Sequence, residues 1–592
     1  MTVKIEDLAL IGDLHTAALL DNRGSIVWMC VPRFDSDTPF ASLLGTPDNG
    51  EWSLRPVSPV KESRRRYREA TLVIETVLTC DQGSVRLIDF MPHREEQPTV
   101  VRIVEGMSGC VEMTSVVACR FNFGELPPWA RRIGDAITLT VGENGMALRT
   151  TVRSEIEGRD AVSRFAVSAG ERVPFVLQWY ASHLDPPGPY DAERALRETE
   201  RVWREWSNEC TYDGKYRDAV VRSLITLKAL TYQPTGGCIA APTTSLPEKL
   251  GGTLNWDYRY AWVRDSAFTV KALVQVGYRE EARAWRDWLL RMLAGDPSKL
   301  QIAYTVTGGR HLQEWEVDWL DGYEGARPVR IGNGAYTQFQ LGIYGEMIDA
   351  IATAHYAGIA VDEHAWEMLE LVLDYVEKHW CDPDSGIWES RGKSKHHTNS
   401  RVMAWVAFDR VIGMMEKDAL SGPIERYRRI RSEIADDVCR NGYKEKRKAF
   451  VQSYESDALD ASVLLIPLMG FLPMEDRRVV NTLDTIEKEL MVDGFILRES
   501  QDIRRPFGQR HVNEGAFLAC NAWLVQNYAK AGRLQDANAL FHRLLDVAND
   551  LDLLAEEYDV EEKRLVGNFP QTFSHATLIN AALVLEAEQS KS

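Results

Sequence analysis

Two places in the sequence set acidic side chains beside neighbours that would tune them as a catalytic pair. Glu389 directly follows Trp388 in the run GIWESRG, and Glu556 opens the pair Glu556-Glu557 in AEEYD. An aromatic neighbour desolvates a carboxyl group and raises its pKa, which suits a proton donor. Two adjacent acids, one facing in and one out, describe a polar setting in which Glu556 stays ionised as a base. A neutral acid and an ionised base on either side of one bond can hydrolyse a glycoside. In the inverting arrangement they stand ~6.5–9.5 Å apart, with room for an attacking water. The plainer reading of each is a solvated charge in a helix-joining loop, with Trp388 a core plug.

Other groups carry two readings as well. Arg264-Asp265 is either a helix N-cap with a surface arginine or a pair that binds ligand hydroxyls. Arg327 and Arg330 in GARPVRIGN either brace a loop or touch a ligand. His396-His397 is the sequence's one adjacent His pair; with no third ligand at metal spacing, solvated or ligand-contacting histidines are expected rather than zinc. There is no GxSxG, no Walker loop and no GxGxxG after a strand, so hydride and phosphoryl transfer lack support and no cofactor is expected.

Elements of two different periods must position these groups. Residues 1–190 contain short β-branched runs such as Thr71–Thr79, Ser84–Phe90, Thr99–Glu105, Ala136–Val141 and Ala147–Val152, separated by turn residues. Turns roughly every ten residues predict an N-terminal antiparallel β-sandwich. A charged helical linker follows at 191–214. From 215 to 592 charge-rich and charge-poor helical stretches alternate, near Tyr216–Leu230, Ser266–Val276, Glu280–Ala294, Ala335–Ala357, Asp362–Trp380, Val402–Met415, Pro423–Arg440, Ala458–Met469, Glu475–Leu490, Gly515–Tyr528, Leu534–Asn549 and Thr572–Leu585. A helix polar on one face lies at a surface and one apolar all round is buried. Alternation without sequence repeats therefore predicts six inner helices inside six outer ones, an (α/α)6 barrel. The segments entering the inner helices gather at one face: 255–265, 322–333, 386–400, 450–457, 498–514 and 556–575. Rich in Trp, Tyr, Arg, Asp, Glu and His, they describe a polar, aromatic pocket, and a sugar fits that description.

Composition narrows the partners. The 592 residues are 45% hydrophobic and 26% charged, with 69 Lys+Arg against 87 Asp+Glu, a formal charge of −18. Nucleic acid and anionic membranes reward clustered positive charge, so neither is expected. The nine cysteines are scattered, with no CxxC, which predicts free thiols in a reducing compartment. The start MTVKIEDLALIGDLH lacks a signal peptide's basic and apolar regions, and no run approaches the ~18 apolar residues of a membrane span. A soluble, cytoplasmic protein is expected, with oligomerisation open.

Several spaced runs resemble glycoside hydrolase family 15: NWDYRYAWVRDSAF at Asn255–Phe268, PVRIGN at Pro328–Asn333, GIWESRG at Gly386–Gly392 and NFPQTFSHA at Asn568–Ala576. The stretch Ile11–Ser36 resembles the amino-terminal sandwich of its prokaryotic members. The resemblance implies the (α/α)6 barrel behind a β-sandwich, and inversion that releases β-glucose from non-reducing ends. It implies Glu389 as general acid, Glu556 as general base, Tyr258 steadying the attacking water, and Arg264 and Asp265 holding the terminal glucose. Glu557 replaces a Gln of the fungal run, and Ser390-Arg391 stands where fungal enzymes carry a second Glu, so distal subsites are not transferable. The substrate contacts expected are Tyr258, Trp262, Arg264, Asp265, Arg330, Trp388, Arg391, His397 and Glu557. The sandwich residues Ile11–Thr16 are expected to reach the pocket mouth and restrict it. The function expected is exo-acting hydrolysis of small α-glucosides (trehalose, isomaltose or short oligosaccharides). The alternatives are an inverting phosphorylase, with Lys393 and Lys395 supplying charge for phosphate, and a non-catalytic glucan-binding regulatory module.

Overall fold

The computed structural model describes residues 3–293, 296–418, 420–500 and 514–591. Most of the fifth segment expected at the pocket face, 498–514, therefore lies outside the described residues.

The N-terminal strands form an antiparallel array pivoting on one long strand, Thr99–Ala118. Its first half pairs with Gly83–Phe90 and Arg172–Ala181, and its second half with Glu51–Pro56 and Asp160–Ser168. One strand thus serves two sheets. Their inner faces share one apolar core that includes Leu10, Ile26, Trp52, Leu87, Val104, Leu139 and Leu148.

The helix Ala192–Ser207 then leads to the helical half. Outer and inner helices differ as their sequences require. Ile424–Asn441 buries Tyr427, Ile430, Ile434 and Val438, a single stripe at three- and four-residue spacing. Leu518–Lys530 buries every residue from Leu518 to Ala529, having no charge to keep in water. The inner helices Val263–Gln275, Gly342–Tyr356, Thr398–Asp418, the short pair Ala461–Leu464 and Leu465–Leu468, Leu518–Lys530 and Thr572–Gln589 touch in that cyclic order, and the last packs against the first. That closure makes the arrangement a ring rather than an open solenoid. Among the described residues no helix is long and apolar enough to cross a membrane. All nine cysteines are free.

The halves are joined by buried polar bonds. The Trp28 indole donates to the Pro242 carbonyl at 2.7 Å, and Arg259, paired with Asp257 at 2.7 Å, donates to the Ser36 carbonyl at 2.8 Å. Leu14 and His15 meet the barrel at Gln233 and Tyr232.

Candidate active site

At the mouth of the ring lies a cavity of about 260 Å3, lined by Glu248, Leu254, Trp256, Tyr258, Arg264, Asn333, Ala335, Trp388, Glu389, Ser390, Arg391, Arg498, Phe517 and Glu556. The two acids singled out in the sequence therefore open into one space, from the segment before the third inner helix and the segment before the sixth.

Glu389 sits in a tightly specified loop. Its φ is +59°, a left-handed conformation that costs a non-glycine residue ~1–3 kcal/mol when the surroundings impose it. Gln338 donates to its carbonyl at 3.0 Å. Buried Asp384 gathers Leu341 N, Gly386 N, the Ser400 hydroxyl and Arg401 around the loop's start. The carboxylate accepts from the Trp262 indole at 2.9 Å and from Arg264 at 3.2 Å. Burial raises its pKa, and Arg264 opposes that rise. Trp388, alongside, donates its indole N–H to both oxygens of Asp460 at 2.9 and 3.0 Å and packs on Phe517.

Glu556 is held from the segment before the sixth inner helix. Its amide bonds the Asn568 carbonyl and its carbonyl accepts from Leu518 N, at the edge of the small sheet Ala516–Phe517, Glu557–Asp559, Arg564–Val566. Gly567, at φ +76°, lets the backbone pass: a Cβ there would stand 2.7 Å from both the Glu556 Cβ and Oε2. The Tyr258 hydroxyl donates to Glu556 Oε1 at 2.7 Å.

The surroundings of Glu556 correct one expectation. Glu557 does not face solvent; it is completely buried, and it does not line the cavity. Glu556 therefore sits among carboxyl groups rather than in water. Burial, followed by the nearby Glu248 charge, pushes its pKa up to about 8 instead of leaving it an ordinary ionised acid.

The remaining expected contacts divide. Tyr258, Arg264, Trp388 and Arg391 line the cavity with the two acids. Trp262 is buried behind it, its polar N–H spent on Glu389. Asp265 is fully buried beneath Arg264, which it binds through Oδ2, while Oδ1 has no partner among the described residues. Arg330 takes the bracing role: it donates to the Thr253 and Asn255 carbonyls, both at 3.0 Å, and lies over the Trp256 ring at 4.4 Å. It is not on the cavity wall, nor is His397, which is half-buried against Gly386. Residues 11–16 of the sandwich do not reach the wall either. Arg391 lies over Trp256 at 4.1 Å and pairs with Glu314 at 2.9 Å.

Sequence reasoning missed Glu248, Trp256, Asn333, Arg498 and Phe517 as wall residues. Trp256, Asn333 and Arg498 lay inside the segments assigned to the pocket face and were findable there. Glu248, in SLPEKL, carried no local signal.

Both halves of the chain match known families. The family described as Glycosyl hydrolases family 15 matches residues 214–583, and the one described as Trehalase-like, N-terminal, matches residues 1–202. The chain belongs to glycosyl hydrolase family 15. It is 34% identical to a trehalase of Thermoplasma volcanium over 98% of this chain and 94% of that protein. It is 37% identical to a trehalase of Mycobacterium tuberculosis over 99% and 90%. Its fold matches a bacterial glucoamylase complexed with acarbose, with a TM-score of 0.73 at 12% identity, covering 99% of this chain and 94% of that one. The family 15 chain is a glycoside hydrolase, and the sandwich-plus-barrel architecture is the glucoamylase one.

Proposed function

We propose that this enzyme hydrolyses small α-glucosides, trehalose foremost, with inversion at the attacked anomeric carbon. The observation that carries the reading is the shared cavity: Glu389 and Glu556 both open into it, each held by its own donors. In this mechanism Glu389 protonates the glycosidic oxygen while Glu556 takes a proton from a water steadied by Tyr258. Arg264, fixed by Asp265, orients the sugar. The near full-length trehalase relatives support trehalose in particular. Lys393 and Lys395, which a phosphorylase would use, are exposed and off the wall. In domain terms, residues 1–190 form the sandwich, 191–214 the linker and 215–592 the catalytic barrel of a cytoplasmic enzyme.

The test is a panel of trehalose, maltose, isomaltose, kojibiose and maltoheptaose, with product anomers followed by NMR. Inverting attack on α,α-trehalose converts one anomeric carbon to β and releases the other glucose as α. Early product is then equal amounts of the two anomers. Early product that is all α, or turnover of maltoheptaose but not trehalose, would overturn the proposal.

A further inference from the structure

Glu557 is the acid that this mechanism does not use. Its side chain is fully buried, and among the described residues neither carboxyl oxygen has a hydrogen-bond partner. It points into a group: one carboxyl oxygen from each of Glu248, Glu514 and Glu557, all buried, lies within 4.8 Å of the others, and Glu556 is next in the chain. The backbone enforces this. Glu557 pairs across the small sheet with Phe517, and Gly515 passes so close that a Cβ there would stand 2.9 Å from the Glu557 Cβ. Arg498 is the guanidinium that binds this group. It donates to Glu514 through two nitrogens and to Glu248 Oε2 at 3.2 Å, and reaches neither Glu556 nor Glu557 by a hydrogen bond. Among the described residues, four carboxylates would place four negative charges around the Arg498 guanidinium. A buried carboxylate without a donor is strongly disfavoured, whereas a carboxylic acid supplies its own proton as the missing bond.

We propose that Glu557 is a positioning residue for the base: it stands as an uncharged carboxylic acid donating towards Glu248 and Glu514, so that the proton this group must carry rests there and Glu556 can ionise. The proposal rests on the reading of Glu556 as the base. The proton stays on Glu557 throughout turnover, so nothing is transferred. The groups facing Glu557 among the described residues act in opposed senses, with those that raise its proton affinity prevailing. Burial, Glu248, Glu514 and Glu556 raise its proton affinity, and Arg498 opposes them. Tyr258 and Asn568 engage Glu556, not Glu557.

The test uses the full-length enzyme at neutral pH. Infrared difference spectra of the native protein against Glu557→Gln should show a protonated-carboxyl C=O band in the native protein that the variant lacks. On trehalose, Glu557→Gln, a neutral donor of the same shape, should keep kcat/KM within about threefold and leave the acid limb of its pH profile in place. Glu557→Leu, which has no donor, should lose about tenfold, the effect of one missing hydrogen bond. Absence of the infrared band overturns the proposal. So does an acid limb in Glu557→Gln displaced downwards by about one pH unit or more, the mark of a native negative charge removed. Native activity abolished by a chelator and restored by Mg2+ or Ca2+ also overturns it, because a cation would then occupy the group. If Glu557→Leu does not fold, the band and the Gln variant still decide. If Glu556→Gln keeps full activity, the base reading fails, while the band reports independently on Glu557.

Discussion

Tyr258→Phe deletes one hydroxyl and leaves the ring edge-on against Trp262, 5.4 Å between centroids. The bond lost is the 2.7 Å donation to Glu556 Oε1, and a hydrogen bond to an ionised group contributes ~1.5–3 kcal/mol. That bond favours the charged form, so its loss raises a pKa already pushed up to about 8. At 1.36 kcal/mol per unit the rise is about one to two units. A base must be ionised to act, so the acid limb of kcat/KM should move to higher pH by that amount. At a fixed pH below the limb, kcat/KM should fall about 10–100-fold, tenfold for each unit. The assay is glucose release from trehalose across the pH range, with circular dichroism to confirm the native fold. A folded variant whose acid limb stays within about 0.3 unit of the parent would refute the argument, because Tyr258 would then not be bonding the ionised base.

Glu389→Gln should lower kcat by about 10²–10⁴-fold while trehalose still binds by calorimetry, since it removes the proton donor and keeps the shape; full activity would remove Glu389 from the acid role, and loss of binding would point to a different role in the pocket. Arg330→Ala should lower Tm through two lost bonds to carbonyls, about 1–3 kcal/mol in all, and change kcat by less than about threefold, because Arg330 braces Trp256 rather than touching the cavity. Stability should depend on pH in a defined window. Burial raises Glu248 and Glu346 to about 7 and Glu556 to about 8 from 4.5, so the native state binds more protons than the unfolded chain between about 4.5 and 8 and stability falls there as pH rises. Burial lowers His15 and His93 to about 4 and His575 to about 3 from 6.5, which makes stability rise with pH up to about 6.5. From about 6.5 to 8 the shifted histidines no longer contribute and these carboxyl groups still do, so Tm followed by scanning fluorimetry should decline across that interval, and a Tm that rises there would contradict the burial of these acids.

The barrel was legible because burial of a helix is written locally. Leu518–Lys530 has no charged residue before its end, and Ile424–Asn441 has charges everywhere but one stripe, so inner and outer positions separate without any knowledge of contacts. The place of Glu389 on the cavity wall was legible because Trp388, adjacent in sequence, marked the segment, and both residues line the cavity. Glu557 was misread because adjacent residues in a strand point to opposite sides, and the usual inference is that one side is wet. Here both sides are interior. One meets the cavity, and the other meets Glu248 and Glu514, brought in by segments whose sequence carries no mark of each other. Arg330 was ambiguous because an arginine near a pocket and an arginine bracing the pocket's loop have the same local sequence.

That failure bears directly on how the two acids divide their work. Desolvation acts on Glu389 and Glu556 alike and raises both, so burial cannot by itself make one an acid and the other a base. Their donors differ: Glu389 has an indole and a guanidinium, and Glu556 a phenol. In isolation those partners would leave Glu389 the more readily ionised of the two, the reverse of the roles that hydrolysis needs. What can restore the order on the Glu556 side is a place other than Glu556 for the proton that four clustered carboxyl groups must hold, and Glu557, buried and without a partner, is that place. Substituting Glu248 by Gln tests the same logic from the other end. It removes the charge that most raises Glu556 after burial, so the acid limb should move down by about one unit; a limb that stays put would mean that the four acids do not titrate as one group.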